Sequence, residues 1–166
     1  MSQKIDLQKF SQESKSELSA NKKLKEKLKK TKPKNLDETF HQLHEQTFEE
    51  IDCLNCANCC KTTSPIFLQT DIDRLAKVFR MKSSQFIDTY LRRDEDGDYV
   101  LTTAPCPFLN QDNTCLVYED RPKACREYPH TDRKNMLGIL DLTLKNTLVC
   151  PAVFKIFYEI GKDYRK

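Results

Sequence analysis

The chemistry open to this sequence lies in its eight cysteines: Cys53, Cys56, Cys59, Cys60, Cys106, Cys115, Cys125 and Cys150. The first four fall within CLNCANCC. A C-x2-C step lets two thiolates grip one metal from a single turn, as in zinc ribbons and iron–sulfur proteins. Two such steps run together here as C-x2-C-x2-C, and Cys60 follows at once. A ferredoxin-like loop has the same spacing and takes a further ligand from a distant Cys-Pro. Cys106-Pro107 and Cys150-Pro151 are two such pairs. Consecutive side chains diverge, so Cys59 and Cys60 do not close on one tetrahedral ion. The doublet implies two metal positions, or one position beside a spare thiol, for which Cys60 is the candidate.

Scattered cysteines are often small buried hydrophobes, a reading that suits Cys115 or Cys150 singly but not four in so short a stretch. Four thiolates around a divalent ion carry excess negative charge, which neighbouring cations offset. Arg121, Lys123 and Arg126 flank Cys125 in YEDRPKACREYP. A surface salt bridge to Glu119 or Asp120 is the competing role for Arg121. His41 and His44, three apart on one predicted helix, and His130, just after REYP, are candidate nitrogen ligands. The first two are expected to be ordinary surface histidines, because the cysteines alone complete a site. Zinc and iron–sulfur centres both accept four thiolates, so the metal stays open.

The full pattern is C-x2-C-x2-C-C, then CPFL, then C-x2-Y-x2-RP-x2-CR-x-YP and a late CP. It resembles the YkgJ-like cysteine-cluster family, a zinc- or iron-chelating domain whose motif is shared by flagellin lysine N-methylase-like proteins. The resemblance runs from about Cys53 to Pro151. It implies metal ligation by all eight cysteines. It also implies a signature of Tyr118, Arg121, Pro122, Cys125 and Arg126, with Tyr118, Arg121 and Arg126 beside the ligands. A complete methyltransferase is not expected. The only glycines are Gly97, Gly138 and Gly161, none in a cofactor-cradling loop, and the C-x3-C-x2-C spacing of radical S-adenosylmethionine enzymes is missing.

The elements that must position these residues are short. Leu36, Phe40, Leu43, Phe48 and Ile51 recur at helical spacing, with Asn35 and Glu38 as a capping pair. Thr70 with Asp73 predicts the start of a second helix, and Ser83 that of a third carrying Phe86, Ile87, Tyr90 and Leu91. An Asp-Gly turn precedes a strand from Tyr99 to Thr103. A turn around NQDN, shaped by Asp112 and Asn113, leads to a short strand through Val117 and a helical turn after Pro122. GILDLTLKNTLV is expected to hold one more strand, and Pro151 to open a closing helix. The fold class is therefore α+β: a small, mostly helical, metal-stabilised domain with a few short strands and an N-terminal lysine-rich extension.

Residues 1–34 hold eleven lysines and four acidic residues, a balance of +7 that leaves the remainder at −4 against the chain's +3. The division expected is a lysine-rich tail, helical or flexible, over 1–34, and a cysteine-cluster metal-binding domain over 35–166. The tail's sparse apolar residues predict a mostly solvated helix, with contact to an acidic protein or nucleic acid as its sharper role. No apolar run spans a membrane and no secretory stretch opens the chain, so a cytoplasmic location with reduced thiols is expected. Function narrows to a cytosolic protein chelating zinc or iron, an iron–sulfur centre included. Two alternatives stand beside it. One is an iron–sulfur oxidoreductase or accessory subunit of a protein-modifying enzyme; the other is a structural zinc module with a basic partner-binding tail.

Overall fold

The structure is a computed structural model that describes residues 5–164. In chain order the helices begin with α1 (Leu7–Ser16), α2 (Leu18–Thr31), α3 (Leu36–Glu50), α4 (Cys53–Cys56) and α5 (Asn58–Thr62). Then come α6 (Gln69–Val78), α7 (Ser83–Tyr90), strands β1 (Leu91–Arg93) and β2 (Tyr99–Leu101), and α8 (Lys123–Glu127). The chain closes with α9 (Leu140–Asn146) and α10 (Pro151–Tyr164). Contacts divide it into two compact units: Met1–Cys56 with Pro129–Lys166, and Ala57–Tyr128. That division cuts through the cysteine set.

The first unit is helical. Its core joins Leu24 and Leu28 of α2, Leu36 and Phe40 of α3, Leu140 and Leu144 of α9, and Ile156, Phe157 and Ile160 of α10. The lysine-rich helix is thus not mostly solvated, as its composition suggested. Asn21, Leu24 and Leu28 share one face at helical spacing and are all buried. Lys25 and Lys29 both reach Asp141, at 2.8 and 2.6 Å, and hold its carboxyl down to about 2. The strand expected in GILDLTLKNTLV is helix α9 instead, because burying Leu140, Thr143 and Leu144 against the helical core takes a 3.6-residue period. Asp37 accepts the Asn135 and Met136 amides at 2.7 and 2.8 Å. On the same helix, His41 Nε2 donates to the Arg133 carbonyl and His44 Nδ1 is hydrogen-bonded to the buried Thr131 hydroxyl, both at 2.7 Å. These histidines hold the 131–136 segment.

The second unit is built on aromatic rings. Phe67, Phe86 and Phe108 are buried, with Phe79 and Tyr90 packed against them. β1 and β2 pair antiparallel with Leu91 opposite Leu101. Their turn uses Gly97 at φ +84, and Asp94 accepts the Asp96 and Asp98 amides at 3.0 and 2.9 Å. The strand expected through Val117 is only an isolated bridge from Leu109 to Cys115, followed by a 3-10 turn at Tyr118–Asp120. The cap of α6 is Asp71, which accepts the Leu68 amide, rather than Thr70 with Asp73; Asp73 instead accepts from Ser83 and Gln69. α7, α8 and α10 begin where Ser83, Pro122 and Pro151 predict, and the described residues are mostly helical with one two-stranded sheet.

Candidate metal centre

The cysteine-rich stretch is parted by one residue. α4 is a single turn with Cys53 and Cys56 three apart, so their side chains share a face. Ala57 then takes a left-handed conformation, φ 49 and ψ 21, and the helix restarts as α5 with Cys59 and Cys60. An alanine there costs about 1–2 kcal/mol. This turn is where one compact unit ends and the other begins.

Within Ala57–Tyr128, backbone contacts gather three thiols from distant parts of the sequence, and electrostatics join Cys125 to them. The Cys106 amide donates to the Cys60 carbonyl at 2.8 Å. Leu109 bridges Cys115, and the Leu116 amide donates to the Phe108 carbonyl at 2.8 Å, so Cys106 and Cys115 flank one tight loop. Both pack on the aromatic core. Cys125 sits on α8, its amide donating to the Pro122 carbonyl at 2.9 Å.

The electrostatics bind these residues into one group. The Cys60 thiol is brought down to about 7, first by a hydrogen bond from Cys59 and then, against the cost of burial, by Arg121 and Lys61. Burial drives Cys125 up to about 12, with Cys60, Cys106 and Cys115 adding to the rise and Arg121 opposing it. Burial also raises Cys106 and Cys115, and each feels Cys60. Cys60 is the thiol poised to ionise near neutrality; its three companions are held neutral until something compensates them.

Arg121 is the cation felt by three of the four, Cys60, Cys115 and Cys125. Its Nε–H donates to the Tyr118 carbonyl at 2.7 Å, and its guanidinium lies 3.7 Å above the Tyr118 ring. Among the described residues it makes no ion pair with Glu119 or Asp120. Tyr118 therefore acts by carrying Arg121. Arg126 is exposed on α8, and Lys123 pairs with Glu127 at 3.2 Å.

The remaining thiols, Cys53, Cys56 and Cys150, belong to the helical unit. Burial raises Cys150 to about 11, and Cys53 and Cys56 push it further. Its amide donates to the Asn146 carbonyl at 2.8 Å, immediately before α10. The ion pair from Glu50 to Lys155 ties α3 to the first turns of α10 nearby. His130 also lies in this unit, with a left-handed φ of 65.

None of the eight cysteines, all among the described residues, is in a disulfide. Among the described residues, no three His, Cys, Asp or Glu side chains already surround one metal position. Protonated thiols gain nothing by converging, and such sites form as the metal displaces the protons. The donor chemistry fits a soft or borderline metal: sulfur only, half-buried, with a fixed cation alongside. Sequence reasoning singled out Arg121 but missed Lys61, whose only signal was its place after Cys60. It also missed Arg74, forty-seven residues before Arg121 and hydrogen-bonded to it.

A family model described as "CxxCxxCC: putative zinc- or iron-chelating domain" matches residues 52–150. No curated protein and no solved structure matches the chain. No helix among the described residues is long and apolar enough to cross a membrane.

Proposed function

The chain belongs to the CxxCxxCC family, and on that premise we propose that it is a cytoplasmic protein that holds zinc or iron in a four-thiolate centre. Cys60, Cys106, Cys115 and Cys125 are the ligands, Cys59 supports Cys60 by its hydrogen bond, and Arg121 offsets the charge. The observation that carries this reading is that the Cys106 amide donates to the Cys60 carbonyl and Leu109 bridges Cys115, so that thiols far apart in sequence come together, with Cys125 close enough to feel all three. Cys53, Cys56 and Cys150 form a second, three-thiol group that leaves one coordination position for another ligand. A reducing cytoplasm keeps such thiols available.

When bound, the metal links distant chain segments and, as an iron–sulfur centre, also exchanges electrons. Cys60 supplies the first anionic sulfur near neutral pH. Arg121 lowers the cost of ionising Cys115 and Cys125 after it. The test is metal and acid-labile sulfide content on anaerobically purified protein, with its visible spectrum. Bound zinc, or iron with sulfide and broad absorption, supports the reading. Protein that binds neither metal removes it.

A further inference from the structure

We infer that Asp71 and Arg74 of α6 position Cys125 and Arg121 for metal binding, an inference that rests on the four-thiolate reading above. Asp71 is 1% exposed, and the Arg74 guanidinium pairs with its Oδ1 at 2.7 Å. The same guanidinium donates to the Asp120 carbonyl from Nε and from a terminal nitrogen, each at 3.2 Å, and to the Arg121 carbonyl at 2.8 Å. A weaker contact at 3.4 Å reaches the Thr70 carbonyl on its own helix. Asp71 Oδ1 also accepts the Lys123 amide at 3.2 Å, while Oδ2 accepts the Leu68 amide at 3.1 Å and so caps α6.

The pair thus fixes the main chain on both sides of Pro122. Ahead of it stand the Asp120 and Arg121 carbonyls; behind it, the first amide of α8, two residues before Cys125. A five-residue helix has little stability of its own, so its placement depends on tertiary contacts. Arginine suits the task because its planar fork reaches two carbonyls and a carboxylate together, whereas a lysine ammonium reaches fewer in fixed geometry. Neither side chain offers a ligand to the metal. Both act through the segment they hold.

The test is a cobalt(II) titration of the full chain and its Arg74→Lys variant, both also carrying Cys53→Ser, Cys56→Ser and Cys150→Ser to silence the second thiol group, following sulfur-to-cobalt charge transfer, beside thermal melts of both. Lysine keeps the charge opposite Asp71 and loses the fork. The result expected is cobalt affinity weakened about tenfold or more in the variant. Charge-transfer intensity per bound cobalt should also fall by about a quarter, as one of four thiolates drops out. Both titrations are read at a temperature below either melt, where each chain is folded, so the intensity still discriminates where the variant melts earlier. Parental affinity and intensity in the variant would overturn the positioning role. Charge transfer missing from the chain that keeps Arg74 would instead overturn the four-thiolate reading itself.

Discussion

The two compact units bury cores of similar size, but only one of them uses thiols as part of its wall. In the helical unit the core is closed by Leu, Ile, Met and Phe from α2, α3, α9, α10 and the turn before α9. Its three cysteines stand outside that cluster. In residues 57–128 the core is aromatic, and Cys106 and Cys115 pack directly against it. The helices there are short and the only sheet has three residues per strand. A domain so built has few long elements to close itself, so the proposed metal centre would matter most to its stability.

Metal removal should separate the two most strongly. With a chelator present, amides of α6 and α7 are expected to lose hydrogen-exchange protection on the order of several kcal/mol, and those of α2, α3 and α10 far less, because the cysteines of that unit stand outside its core. Equal loss across the chain would erase the contrast. The converse perturbation is Leu28→Ala, which empties a fully buried site in the helical core. A loss of about 2–5 kcal/mol in denaturant unfolding is expected, with metal content unchanged.

Alkaline pH gives a smaller effect that touches both units. In metal-free protein, Cys125 and Cys150 titrate at about 12 and 11, above the ordinary thiol value of 9. The folded state favours their neutral forms, so this stabilisation is complete below about pH 9. It is lost as pH rises, by about 11 at Cys150 and about 12 at Cys125. Cys60 runs the other way. Its value near 7 contributes stability above about pH 9 that disappears as pH falls through 7. Urea unfolding across pH, with and without Cys60→Ser, measures both limbs. At neutral pH, Cys60 should also be the first site alkylated by iodoacetamide, read by peptide mass mapping. The smallest expected change is Ala57→Gly. Relief of the left-handed strain offsets the lost buried methyl, leaving stability within about 1 kcal/mol.

Local signals in the sequence located several helix starts. Pro122 and Pro151 mark α8 and α10 because a fixed φ acts within one turn; Ser83 marks α7, although the cap there is Gln85, which accepts the Lys82 amide. What escaped was decided at long range. Leu24 and Leu28 look too sparse for a core face until α10 and α9 are there to cover them. Leu140, Thr143 and Leu144 read equally as strand or helix over so short a run, and the helical core selected the helix. The cysteine pattern was legible as that of a zinc- or iron-chelating family, whereas which thiols lie near one another was not. The boundary at Ala57 was not legible, because alanine carries no preference for a left-handed turn. Arg74 looked like any exposed helical arginine until Asp71, Asp120 and Arg121 were placed around it.

The most direct test of the four-thiolate centre is metal K-edge X-ray absorption on the Cys53→Ser, Cys56→Ser, Cys150→Ser protein loaded with one metal per chain. Four sulfur scatterers at about 2.3 Å, and no nitrogen or oxygen in the first coordination sphere, are predicted. A sphere containing nitrogen or oxygen ligands, or a chain that holds no metal, would contradict it.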